Sequence, residues 1–258
     1  MLRGVMTLRA RFVLRELGYP FQQDYRSIGV AHGCVVVMLT ALSLVPVTKA
    51  AEVLPANGRD LQQAIDAAPS NTVVQCDPNQ CLTLSTPITI RQPLTLVGLR
   101  ARLPEKLGNT SLVVVEAKGV TVSDFELVGN ADSVAQKDRA PLLVIHAGEF
   151  RVEHGRLLNS SKDGIMIDGD GSKDEDLVGV VVRDIVGRGN VRDTVSISGS
   201  DGHSRRIRNV LVDNVRCYGS ALRGAVEVSD GTDNITVRKV SAEDSVYAID
   251  VQDHKKPG

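Results

Sequence analysis

Lys162, Arg192 and Arg223 recur at intervals of 30 and 31 residues, and each stands four residues before Met166, Ser196 and Glu227 respectively. An arginine fork holds a carboxylate through two parallel N–H donors, and a lysine ammonium holds one as a point charge. Such a row suits a sugar that carries carboxylates. β-Elimination on a uronic acid needs a neutralised carboxylate, a base for the C5 proton and an acid for the leaving oxygen. Hydrolysis needs two carboxyl groups roughly 5–9.5 Å apart. Arg223 is the candidate for gripping a substrate carboxylate, and Glu227 with Asp250 for acid–base or metal work. Lys162, Asp168, Arg192 and His146 are the candidate substrate contacts.

These residues can meet only if the chain stacks its repeats. One phrase recurs as "GVTVSDFEL" (119–127), "EFRVEHGRL" (149–157), "GVVVRDIVG" (179–187), "NVLVDNVRC" (209–217) and "NITVRKVSA" (234–242), with a fainter copy at 92–101. Anchors Leu96, Val122, Val152, Val182, Val212 and Val237 are spaced 26, 30, 30, 30 and 25 residues apart. Self-similarity at this period marks a stacked solenoid. Each phrase reads as two short strands separated by two polar residues that turn a corner, Asn214 among them because Asn tolerates left-handed backbone. A third strand follows a variable loop: "LVVVEA" (112–117), "LLVIHA" (142–147), "GIMIDG" (164–169), "TVSISG" (194–199), "AVEVSD" (225–230) and "AIDVQD" (248–253).

Alternation assigns the faces of that strand. Val113/Val115, Leu143/Ile145, Ile165/Ile167, Val195/Ile197, Val226/Val228 and Ile249/Val251 point inward, and all are aliphatic. Outward run two columns, Val114, Val144, Met166, Ser196, Glu227, Asp250 and Glu116, His146, Asp168, Ser198, Ser229, Gln252. Neighbours in a column stand about 4.8 Å apart, which brings acids beside bases. Cross-coil salt bridging accounts for the same charges, at under about 1 kcal/mol for each exposed pair.

The flanks complete the plan. Leu61, Ala64, Ile65 and Ala68 share one helical face before Pro69, which predicts a short helix over 60–68 that covers the first coil. Residues 1–50 read as an export signal: a basic leader, an apolar run ending in "LSLVPV", then Thr48 and Ala50 at small-residue cleavage positions. A retained anchor is the alternative for that run. Residues 51–93 hold the cap and first strands, and 94–258 the repeats, with further coils expected beyond Gly258. Six basic and two acidic residues lie in 1–50, so the rest carries 24 against 29, net −5. That balance argues against a nucleic-acid partner. Cys76 and Cys81 flank "DPNQ" and are expected to form a local disulfide in an exported protein. The acidic run "DGDGSKDED" (168–176) resembles a calcium loop but lacks the later bidentate Glu, so Ca2+ stays an open candidate.

On the repeated strand–corner–strand phrase, residues from about 58 to 258 resemble the right-handed parallel β-helix of the pectate-lyase-like superfamily. The resemblance implies an all-β solenoid of about six coils, with a cleft along the outer face of the third strands. That fold hosts lyases, hydrolases, epimerases and non-catalytic adhesins. The polygalacturonase-type Asp-Asp pair is replaced by Arg192 and Asp193, and no Gly-His-Gly occurs. The expectation is a secreted, monomeric protein acting on an acidic polysaccharide as a lyase or glycoside hydrolase, or else a non-catalytic glycan-binding module.

Overall fold

The computed structural model describes residues 51–52, 58–170, 176–199 and 206–252. The expected export signal therefore lies outside the described residues, as do positions 171–175 of the acidic run. The chain winds as a parallel β-solenoid of about six turns. One sheet holds the third strands in chain order: Ile88–Ile90, Val113–Val115, Leu143–Ile145, Ile165–Asp168, Val195–Ser198, Gly224–Val228 and Tyr247–Val251. The other sheet carries the repeated phrases, including the long strands Arg151–Leu158, Val181–Arg188, Ile207–Tyr218 and Thr232–Glu243.

The register follows the sequence period. Val74, Leu96, Val122, Val152, Val182, Val212 and Val237 are successive partners across parallel strands. The inward aliphatics are buried from Val113 through Val228, with Ile249 and Val251 at 44% and 74% exposure on the last described coil. Those two have a neighbouring strand on one side only among the described residues. Burying one Val or Ile side chain contributes about 1.5–3 kcal/mol, and a solenoid sums that along its columns.

The corner differs from expectation. One left-handed residue, not a two-residue turn, bends the phrase, so most copies run as a single strand around the corner. The bending residues are Asp124, His154, Asp184, Asn214 and Lys239, with φ between 53° and 59°. Asn214 donates its amide to Asp184 Oδ1 at 2.6 Å, which links successive corners. Just past the corner, Gly155 is required because the Phe125 ring fills the place a Cβ would take.

The predicted cap is a helix at Gly58–Ala67 that buries Leu61 and Ile65. Its Gln62 side chain pairs with the edge strand as a strand would, accepting from Thr89 N–H at 2.8 Å and donating to Thr89 C=O at 2.9 Å. Gln92 donates to the Ile65 and Ala68 carbonyls and so satisfies the other end of the helix. An open sheet edge is thus closed by side-chain amides. The expected bridge between Cys76 and Cys81 is not formed. Both are free thiols, Cys76 buried in the core and Cys81 exposed at the start of the next strand. Burial pushes the Cys76 thiol up to about 11, which leaves it protonated and unreactive.

Candidate functional site

The turn into the third strand carries a dense cluster of buried ionisable side chains. Lys162 and Asp163 stand before Ile165–Asp168, Arg192 and Asp193 before Val195–Ser198, and Arg223 and Gly224 lead into the strand at Gly224–Val228. Parallel stacking superposes these three turns. Gly164 N–H donates to Asp193 C=O at 2.8 Å, and Thr194 N–H to Gly224 C=O at 3.0 Å.

Glu227 sits at the centre, 3% exposed. Its Oε2 accepts from Ser196 Oγ at 2.8 Å and from Arg192 at 3.2 Å. Its Oε1 accepts from Arg223. Each guanidinium reaches a second carboxylate: Arg192 Nε lies 3.4 Å from Asp163 Oδ1, and Arg223 lies 3.7 Å from Asp193 Oδ2. Asp163 and Asp193 are fully buried, and Asp163 Oδ1 accepts the Asp193 backbone N–H at 3.2 Å. Tyr247 reaches from two coils further on to donate its hydroxyl to Asp193 Oδ1 at 2.8 Å. It can do so because Gly224, between them, has no side chain; a Cβ there would strike the Tyr247 carbonyl.

The electrostatics follow from burial and a charge imbalance. Burial first, and then the neighbouring Asp163 charge, push Asp193 up to about 7. Burial also raises Asp163, against the pull of Arg192 and Lys162. Tyr247 is raised by burial and by its bond to Asp193, so it stays a donor at neutral pH. For Arg223, burial disfavours the charge, but Glu227 and Asp193 outweigh it and hold the guanidinium above its ordinary value.

The structure brings Arg192, Arg223 and Glu227 into direct contact, with Lys162 close by. One expectation is corrected. Glu227 does not face solvent but is sealed beneath the two guanidiniums, with Ser196, itself 2% exposed, as its hydrogen-bond donor. Asp250 is the register partner of Glu227 on the next coil, half-buried, and accepts from Gln252. His146 and Asp168 pair with each other at 3.3 Å on the preceding coils. Asp163, Asp193 and Tyr247 were not among the expected site residues. The signal for the aspartates was present: each directly follows a member of the basic row.

Among the described residues no group of three or more His, Cys, Asp or Glu side chains could hold a metal ion. Nor is any described helix long and apolar enough to cross a membrane. Two hollows lie elsewhere. One of about 650 Å³ is bordered by the first helical turn and Thr83–Pro87, and one of about 470 Å³ by Arg102, Glu105, Asn130 and Asp132. Neither is lined by a residue of the buried cluster, whose chemistry marks it as the stronger candidate. Comparison with protein-family models, with curated proteins and with solved structures found no match.

Proposed function

We propose that the third-strand face binds an acidic polysaccharide through Arg192 and Arg223 and cleaves it by β-elimination. One observation carries this reading: two guanidiniums on adjacent coils, each 27% exposed, converge on a single buried glutamate. A guanidinium has five N–H donors, and Glu227 occupies only part of each set. The remaining donors suit the planar carboxylate of a uronate sugar. Asp250, beside Glu227 and partly open to solvent, is the carboxylate placed to take the C5 proton. The C5–H electron pair becomes the 4,5 double bond, the C4–O bond breaks with its pair going to the leaving oxygen, and that oxygen takes a proton from water. The sealing of Glu227 leaves no exposed carboxylate pair there for hydrolysis, so elimination is preferred. Residues 1–50 would serve as the export signal that brings the protein to its polymer, and the reading takes a pectate-lyase-like β-helix acting as a secreted monomer.

The same burial favours a second reading, a non-catalytic glycan-binding module, because Asp163, Asp193 and Glu227 are held by Arg192, Arg223, Ser196 and Tyr247 and are closed to solvent. Incubation with a panel of uronate polymers separates the two. The first reading expects new absorbance from unsaturated products, lost in Asp250→Asn with an unchanged melting temperature. Binding without new absorbance or reducing ends on any polymer selects the module.

A further inference from the structure

The buried cluster holds three carboxyl groups and two guanidiniums. Side-chain exposure is 1% at Asp163, 0% at Asp193 and 4% at Glu227. Lys162 adds a cation only from the half-buried rim, and Asp250 adds a further acid on the coil beyond Glu227. The other printed partners of the aspartates are neutral: Tyr247 donates its hydroxyl and Gly224 its backbone N–H to Asp193 Oδ1, and Ser160 donates to the Asp163 carbonyl. Both Asp163 Oδ2 and Asp193 Oδ2 lack a hydrogen-bond donor. A buried site with more acids than cations lowers its free energy by keeping one acid protonated. The two aspartates lie against each other through the Asp193 N–H bond to Asp163, so that proton belongs to the pair.

We propose that capture of a carboxylate by Arg192 and Arg223 draws a proton onto the Asp163–Asp193 pair, so that this face binds acidic sugars more tightly as pH falls through neutrality. The inference rests on the reading that the face takes uronates. A new anion on the guanidiniums competes with Glu227 and Asp193 for them. The aspartate pair then sits in a more negative field and holds its proton more firmly. Linkage makes the effect reciprocal: whatever favours the proton favours the sugar.

The test is calorimetric titration of the full chain with a galacturonate trimer between pH 5.5 and 8.5, in two buffers of different ionisation enthalpy. Affinity should fall by up to about tenfold per pH unit near neutrality, the limit for one linked proton. Proton uptake should approach one per trimer on the alkaline side. Asp193→Asn, which mimics the protonated acid, should bind with a flat pH profile. Tyr247→Phe removes a hydrogen bond that favours the ionised form of Asp193, and should move the midpoint to higher pH. Binding with no proton uptake overturns the coupling and leaves the uronate reading standing. No binding of any uronate at any pH overturns that reading and the coupling with it. The unliganded protein then reports on the proton alone: its stability should still fall as pH rises towards 7, and a flat profile removes the shared proton as well.

Discussion

Two clusters in this solenoid use the same parts and reach opposite electrostatic states. On the long-strand face, Asp213 is one acid among three cations: Arg238 at 3.0 Å, Lys239 at 3.5 Å and Arg183 at 3.8 Å. The Arg238 hydrogen bond, acting first, holds its carboxyl below the usual carboxylate range. At the turn into the third strand, three buried acids share two partly exposed guanidiniums, and Asp193 rises to about 7. Both arise from charged residues stacked on adjacent coils. Asp213 is itself buried, so what separates the two is the ratio of cations to acids, not the presence of ion pairs. The first arrangement is a staple across a surface. The second holds an acid raised to about 7 beside donors that are only partly occupied, which is the condition of a site.

The largest expected effect tests whether the buried cluster acts as one unit. Arg223→Ala leaves Glu227 and Asp193 short of a partner. It should cost about 3–5 kcal/mol in urea unfolding at pH 7, the usual loss when one member of a buried pair is removed. A loss under about 1 kcal/mol would place Arg223 in the class of ordinary surface charge.

Next comes the pH dependence of each cluster. The folded Asp193 value of about 7 lies above its unfolded value of 3.8. The folded state therefore binds more protons between those limits. The contribution is full below about 4 and is lost as pH rises through 7, a change on the order of a few kcal/mol. Asp193→Asn should flatten that stretch of the stability profile. Asp213 has the opposite sign. Its folded value is depressed, so its contribution is present above the ordinary carboxylate range and disappears as pH falls through the folded value. Asp213→Asn should therefore cost stability at pH 7 and nothing at strongly acid pH. A common sign for the two variants would end the comparison.

The smallest effect is Arg183→Ala, at the long end of the Asp213 cluster and 38% exposed at its side chain. It should change stability by under about 1 kcal/mol, because Arg238 and Lys239 still hold the acid. Its neighbour Val182 is fully buried, and Val182→Asp should unfold the coil locally.

The coil register was legible because it is written in aliphatics. Val152 and Val182 recur at the spacing of one coil, and a slip by one residue would turn every such side chain to solvent. The outward column Met166, Ser196, Glu227 was legible for the same reason. What alternation did not convey is depth. Glu227 counts as outward, yet Arg192 and Arg223 fold over it. Asp163 and Asp193 lie in the turn before the strand, where strict alternation stops assigning faces. Tyr247 was hidden more deeply. Its contact spans 54 residues and depends on Gly224 leaving a gap. The corner was half legible: polar residues marked its place, but only backbone angles reveal that a single left-handed residue makes the bend.

The central claim is that the two guanidiniums recognise carboxylate sugars. The direct measurement is calorimetric binding at pH 6 of a galacturonate trimer and a neutral galactose trimer to the full chain and to Arg223→Lys. Lysine keeps the charge and gives up the planar fork. The prediction is binding of the acidic trimer alone, weakened roughly tenfold in the variant, about the 1.4 kcal/mol of one good charge-assisted bond. Equal binding of the neutral trimer, or no difference between the two proteins, would contradict it.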